Sequence, residues 1–214
     1  MPAPEQEVLN ESLRHRTRQL AVSMHFGPFF RDGRYYLLSD QPPGDLNLLE
    51  NPRGEPIHPG ESLGILPAGT RVRVKEVEFA TASATTNRSL LTPRFFTWVL
   101  VEAPGLDRPA VLVIRDEPDT HEKFLEILSR HLTDEDVARR KARYPEEVRL
   151  AIEEKRLVEG MEEAAVQMAW GVPVTITRGF EEGVQVDSWR FEGGRRALVR
   201  GGRLVSWSHD DEEG

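Results

Sequence analysis

Asp116, Glu117, Asp119, His121 and Glu122 lie within seven consecutive positions, and hard carboxylate oxygens beside one imidazole are the donors a divalent ion prefers. With a bound ion they would suit metal-dependent hydrolysis. The same residues also read as the first turn of a helix, where carboxylates complement the positive end of the helix dipole, and that reading is preferred. The terminal run His209-Asp210-Asp211-Glu212-Glu213-Gly214 attracts cations in principle but has the composition of a solvated acidic tail. His25, His58 and His131 stand singly. Ser39, Ser62 and Ser89 lack the Gly-x-Ser-x-Gly setting of an esterase nucleophile, and no phosphate-cradling glycine motif occurs. No catalytic residue, metal or cofactor is therefore assigned. An enzyme, as a metal-dependent hydrolase, is the least favoured of three readings.

The composition narrows the classes further. The 214 residues carry a formal net charge of -8, with 38% hydrophobic and 30% charged residues, as in a folded, well-solvated protein. An acidic chain repels phosphate, so no nucleic-acid partner is expected. The basic clusters Arg14-His15-Arg16-x-Arg18 and Arg139-Arg140-Lys141-x-Arg143 read as helical surface. There is no cysteine, which removes disulfides, thiolate zinc sites and thiol nucleophiles. No run has the length of a membrane span, and the first residues lack a secretory pattern, so a cytoplasmic location is expected, or a periplasmic one had a leader been removed.

These features must be positioned by an α+β chain. Residues 5–20 are helix-friendly, with Leu9 and Leu13 on a stripe. Strands and turns follow to about 116, including a hairpin at Asp32-Gly33 and a long loop over 41–69. Val72 and Val74 face one way and Val77 and Phe79 the other, which predicts a bulge near Lys75-Glu76. Phe95–Val101 and Ala110–Ile114 are apolar on both faces, as central strands are. A small β-barrel or bent antiparallel sheet is expected for 1–116, and the Pro67-Ala68-Gly69-Thr70 turn before a strand resembles bacterial SH3-like barrels. Asp119-x-x-Glu122 and Thr133-x-x-Asp136 have capping-pair spacing, so 117–144 reads as a helical connector.

From 145 to 208 the pattern is two helices and an antiparallel sheet. Gly171 and Pro173 end the second helix, a phase slip falls between Val186 and Trp189, and Gly201-Gly202 marks a two-residue hairpin. Gly160-Met161, Val166, Gly171-x-Pro173 and Trp189-x-Phe191, followed by the terminal hairpin, resemble the small lipoprotein subunit of the outer-membrane β-barrel assembly machine, whose fold the β-lactamase inhibitor protein shares. Glu162 stands where that family carries a hydroxyl residue, Val199 where an aromatic is common, and the family's anchoring cysteine is absent. The resemblance implies structural roles for these residues and a module that acts by binding another protein.

Of the four tryptophans, Trp98, Trp170 and Trp189 are expected in cores. Trp207, beside Arg203 on an edge strand, and Phe180 are expected at the surface as partner-binding residues, because Trp and Arg dominate interface hot spots. The favoured function is a non-enzymatic interaction or scaffold protein acting through residues 145–208. The second reading is a β domain over 1–116 that holds a peptide, glycan or small ligand.

Overall fold

The computed structural model describes residues 1–30, 33–39, 49–80, 97–114 and 118–209. Helix α1 (Ala3–Leu13) buries Leu9 and Leu13, one turn apart, against the first sheet. It does not continue to residue 20. His15 takes a left-handed φ of 64°, and Thr17–Leu20 form strand β1, pairing on one side with β7 (Arg71–Glu78) and on the other with β10 (Leu132–Thr133). Local helix propensity loses here to two long-range ladders. The basic residues of this segment are therefore partly strand residues, and Arg18 bridges Asp134 at 3.0 Å.

Strands β2 (Met24–Phe30), β3 (Tyr35–Leu38), β4 (Leu49–Glu50), β5 (Pro56–Pro59), β6 (Gly64–Leu66), β8 (Thr97–Glu102) and β9 (Ala110–Ile114) complete this sheet. Its order is β10-β1-β7-β8-β9-β3-β2-β5-β4, with β6 also on β2. Pairing is antiparallel except between β3 and β9, which run parallel. The expected antiparallel sheet is thus a mixed one. The expected bulge is present, since the β7–β8 register shifts between Val74 and Glu76. β9 is buried throughout because apolar clusters cover both of its faces. On one face Leu112 and Ile114 meet α1 and helix α2 (His121–Ser129). On the other, Val111 and Val113 meet a group in which Phe29 stacks on Trp98 at 5.5 Å.

The caps of the next helices differ from the expected pairs. Thr120 caps α2 by accepting from Lys123 N, and Asp136 caps α3 (Val137–Lys141) by accepting from Arg139 N. Phe124, Ile127, Leu128 and Leu132 all enter the first core, so residues 121–133 are built into the N-terminal unit. Val137 instead joins Ala68 in a second core.

That second core lies between helices α4 (Glu146–Glu153) and α5 (Glu163–Trp170) and the sheet β11 (Thr175–Glu181), β12 (Val184–Arg190), β13 (Arg195–Arg200) and β14 (Arg203–His209), paired in chain order. Gly201 and Gly202 both take positive φ, 56° and 77°, as the two-residue turn between β13 and β14 requires. The expected slip in β12 is absent, because its register with both neighbours is continuous. What disturbed the pattern is Asp187, a buried carboxylate on the face that also carries Trp189. The register shift falls instead in the β13–β14 pair, at Leu198/Val199.

Candidate functional site

Ser23 leaves the N-terminal sheet where the C-terminal ends of α4 and α5 converge. Its N–H donates to Met168 O at 2.8 Å and its hydroxyl to Ile152 O at 2.6 Å, while the hydroxyl oxygen accepts from Ala68 N at 2.9 Å. Lys155 follows α4 in a left-handed conformation with φ 54°, and its ammonium donates to Ser23 O at 2.6 Å and Ala169 O at 2.7 Å. A cation at the carbonyl ends of two helices is favoured by their dipoles. Burial acts the other way and pushes the Lys155 ammonium down to about 7. Trp170 Nε1 donates to Lys155 O at 3.1 Å, which fixes the same turn. Ser23 and Lys155 therefore fasten the two units together. Neither was singled out as a site residue from the sequence, although Lys155 continues the spacing of Val148, Ala151 and Ile152, an unusual position for a charge.

Around this junction the chain forms two shallow cavities of about 350 and 470 Å³ that share Trp170 and Arg195. The Arg195 guanidinium lies 4.9 Å from the Trp170 ring centre, and burial pushes it down to about 10. His209 packs edge-on against the same indole at 5.3 Å. His25, on β2, has Nδ1 3.3 Å from Ser62 Oγ, and it is pushed down to about 4, first by burial and then by the fields of Lys155 and Arg195. The unfolded chain takes up this proton near 6.5 and the folded chain only near 4, so the folded state loses stability as pH falls through that window. Denaturant unfolding measured between about pH 4 and 6.5 is expected to show this loss, and His25→Asn to reduce it.

Residues 116–122, read above as a helix start in preference to a metal site, are only partly described. Asp116 and Glu117 lie outside the described residues, as does the acidic run 210–214. Among the described residues no group of three or more His, Asp or Glu side chains is placed to hold a metal ion. No helix among them is long and apolar enough to cross a membrane.

The residues named for the fold hold structural positions. Gly160 has φ 80° and its N–H donates to Leu204 O. Met161, Val166, Trp189 and Phe191 are core residues, Gly171 ends α5 with φ 92°, and Pro173 is buried behind it.

The three residues expected to bind a partner are not brought together. Phe180 is 76% exposed on β11, whereas Trp207 and Arg203 are on β14, at the opposite edge of the sheet. Nor do Trp207 and Arg203 sit side by side. The register shift puts Trp207 and Leu204 on the helix face, opposite Ala197 and Val199, and turns Arg203 to the other face opposite Arg200. Arg203 is also engaged within the chain, donating to Gly160 O at 3.0 Å and Glu162 Oε1 at 3.3 Å. Backbone bonds from Gly160 N to Leu204 O and from Leu204 N to Met161 O close the start of the β14 edge.

The β11 edge is different. All seven of its residues are exposed, and none contributes to the second core, because α4 and α5 cover only β12, β13 and β14. Seven of the ten exposed large apolar side chains among the described residues lie between 172 and 207, including Val174, Ile176 and Phe180 at this edge. Gly201 N donates to Gln185 O, which commits the odd-numbered residues of β12 to β13 and its even-numbered residues to β11. With the continuous β11–β12 register, the N–H and C=O groups of Ile176, Arg178 and Phe180 then point outward. Comparison of the chain with protein-family models, curated proteins and solved structures finds no match in any of the three.

Proposed function

We propose that the chain is a non-enzymatic protein-interaction module that docks an extended segment of a protein partner on β11. The observation that carries this reading is the seven-residue, wholly exposed edge strand with outward-facing backbone groups and Phe180 projecting from it. Soluble proteins commonly blunt such an edge with charge, proline, a bulge or a covering element. β11 has no proline, keeps one register along its length, and carries Ile176 and Phe180 on one face either side of Arg178, whose charge is met by Asp187. An added strand would satisfy the outward amides, and the side chains of Ile176 and Phe180 would supply selectivity. The resemblance of residues 146–208 to a family that acts by binding proteins supports the same reading.

Ile176→Pro removes an outward N–H from an edge strand, where proline is tolerated by the fold itself. The expected result is an unchanged circular dichroism spectrum and the loss of a stoichiometric partner that the wild-type chain retains from lysate of its source. Retention of that partner by the folded variant would remove β11 from the mechanism.

A further inference from the structure

We propose that the segment docked on β11 is β11 of a second copy of this chain, antiparallel about a two-fold axis through Thr177. This rests on the reading of β11 as a docking edge and names its occupant. A two-fold axis normal to the sheet keeps each residue on its own face, so only registers that pair even with even residues are allowed. Near the middle of the strand these centre on Thr177, Arg178 or Gly179, and the last places two glycines, with no side chains to pair, at the axis. Centring on Arg178 sets two guanidinium groups directly opposite each other, which is destabilising. Centring on Thr177 pairs Thr177 with its own copy and lays the Arg178 stem against Ile176 twice. Thr–Thr pairs are favourable across strands.

The outward amides agree with this register. Ile176 and Arg178 would form hydrogen-bonded pairs, leaving Thr177 at a closely spaced, non-hydrogen-bonded pair. Val174 N–H is committed to Arg190 O at 2.8 Å, so that position offers only its carbonyl. Arg178 keeps its own counter-charge, with Nε 3.7 Å from the buried carboxylate of Asp187. Head-to-tail pairing of β11 with β14 of another copy is disfavoured, since the start of β14 is closed by Gly160 and Met161 and its register is broken at Leu198/Val199. The contact therefore closes as a dimer and does not propagate.

The absence of cysteine makes the test direct. In the proposed register the two copies of residue 177 have Cα atoms about 4.5 Å apart, within disulfide reach. The two copies of residue 175 are about 13 Å apart, beyond it. Full-length Thr177→Cys, Thr175→Cys and Arg178→Cys are oxidised side by side and resolved on non-reducing gels, with light scattering on the wild-type chain. The expected result is a wild-type mass twice 24.3 kDa and cross-linking of Thr177→Cys at least about tenfold faster than of the other two. A monomeric mass with equal, slow cross-linking overturns the proposal, and preferential cross-linking of Arg178→Cys overturns its register. If the chain is monomeric and Ile176→Pro still strips a different protein from it, self-pairing falls while docking at β11 stands.

Discussion

Replacing Lys155 by methionine is expected to lower the unfolding free energy by about 2–4 kcal/mol near pH 9 and to remove a rise in stability between pH 7 and 10.5. Methionine keeps the unbranched stem of the side chain, one atom shorter, but provides no donor. Ser23 O and Ala169 O are then left in a buried junction without the N–H groups that now reach them at 2.6 and 2.7 Å. The pH dependence follows from the same burial. In the folded chain Lys155 is pushed down from 10.5 to about 7, so between those values the unfolded chain binds more protons and stability rises with pH. The ceiling on that rise is roughly 5 kcal/mol. Two carbonyl acceptors and two helix C-termini favour the ammonium, so the measured rise falls short of the ceiling. Guanidinium unfolding of wild type and Lys155→Met across this pH range tests both parts. Parallel curves for the two proteins would mean that Lys155 titrates as an ordinary exposed lysine.

Trp189→Ala is expected to cost about 3–5 kcal/mol, a large share of the stability of a domain of this size. Trp189 is 1% exposed, lies across the strand from Ala197, and packs with its ring centre 6.2 Å from that of Phe191. The small Ala197 makes room for the indole. Its indole N–H has no acceptor among the described residues. Trp189→Phe therefore loses volume but no hydrogen bond, and a smaller cost of about 1–2 kcal/mol is expected. Trp207→Ala, at a half-exposed edge position, is expected to cost under about 1 kcal/mol. Thermal and denaturant unfolding of the three variants checks the ranking. An equal cost for Trp189→Ala and Trp207→Ala would contradict the placement of Trp189 at the centre of the second core.

Stability and the proposed docking fall to different parts of the C-terminal unit. The core uses the helix-facing residues of β12, β13 and β14, and the proposed docking surface uses β11, none of whose residues enters that core. A change at Ile176 or Phe180 can therefore alter association without unfolding the chain. A change at Trp189 or Lys155 alters both.

Part of this was legible in the chain. The Gly201-Gly202 turn, the bulge beside Lys75 and the two-sided burial of β9 follow from glycine conformation and side-chain alternation. Thr17–Leu20 misled because its residues suit a helix, and only pairing with β7 and β10 makes it a strand. The slip read at Val186–Trp189 misled because Asp187, a residue type that normally marks the solvent face, is buried there and bonded by Gln185 at 2.9 and 3.0 Å. By itself the sequence determined the α+β class and those turns and alternations, since each depends on a residue and its near neighbours. Tertiary structure alone decided that Ser23 meets Lys155 across 132 positions, that Arg203 and Trp207 face apart, and that, among the described residues, β11 is left open while the start of β14 is closed. Those outcomes depend on which surfaces two helices can cover, and no local pattern encodes the reach of a helix over a sheet.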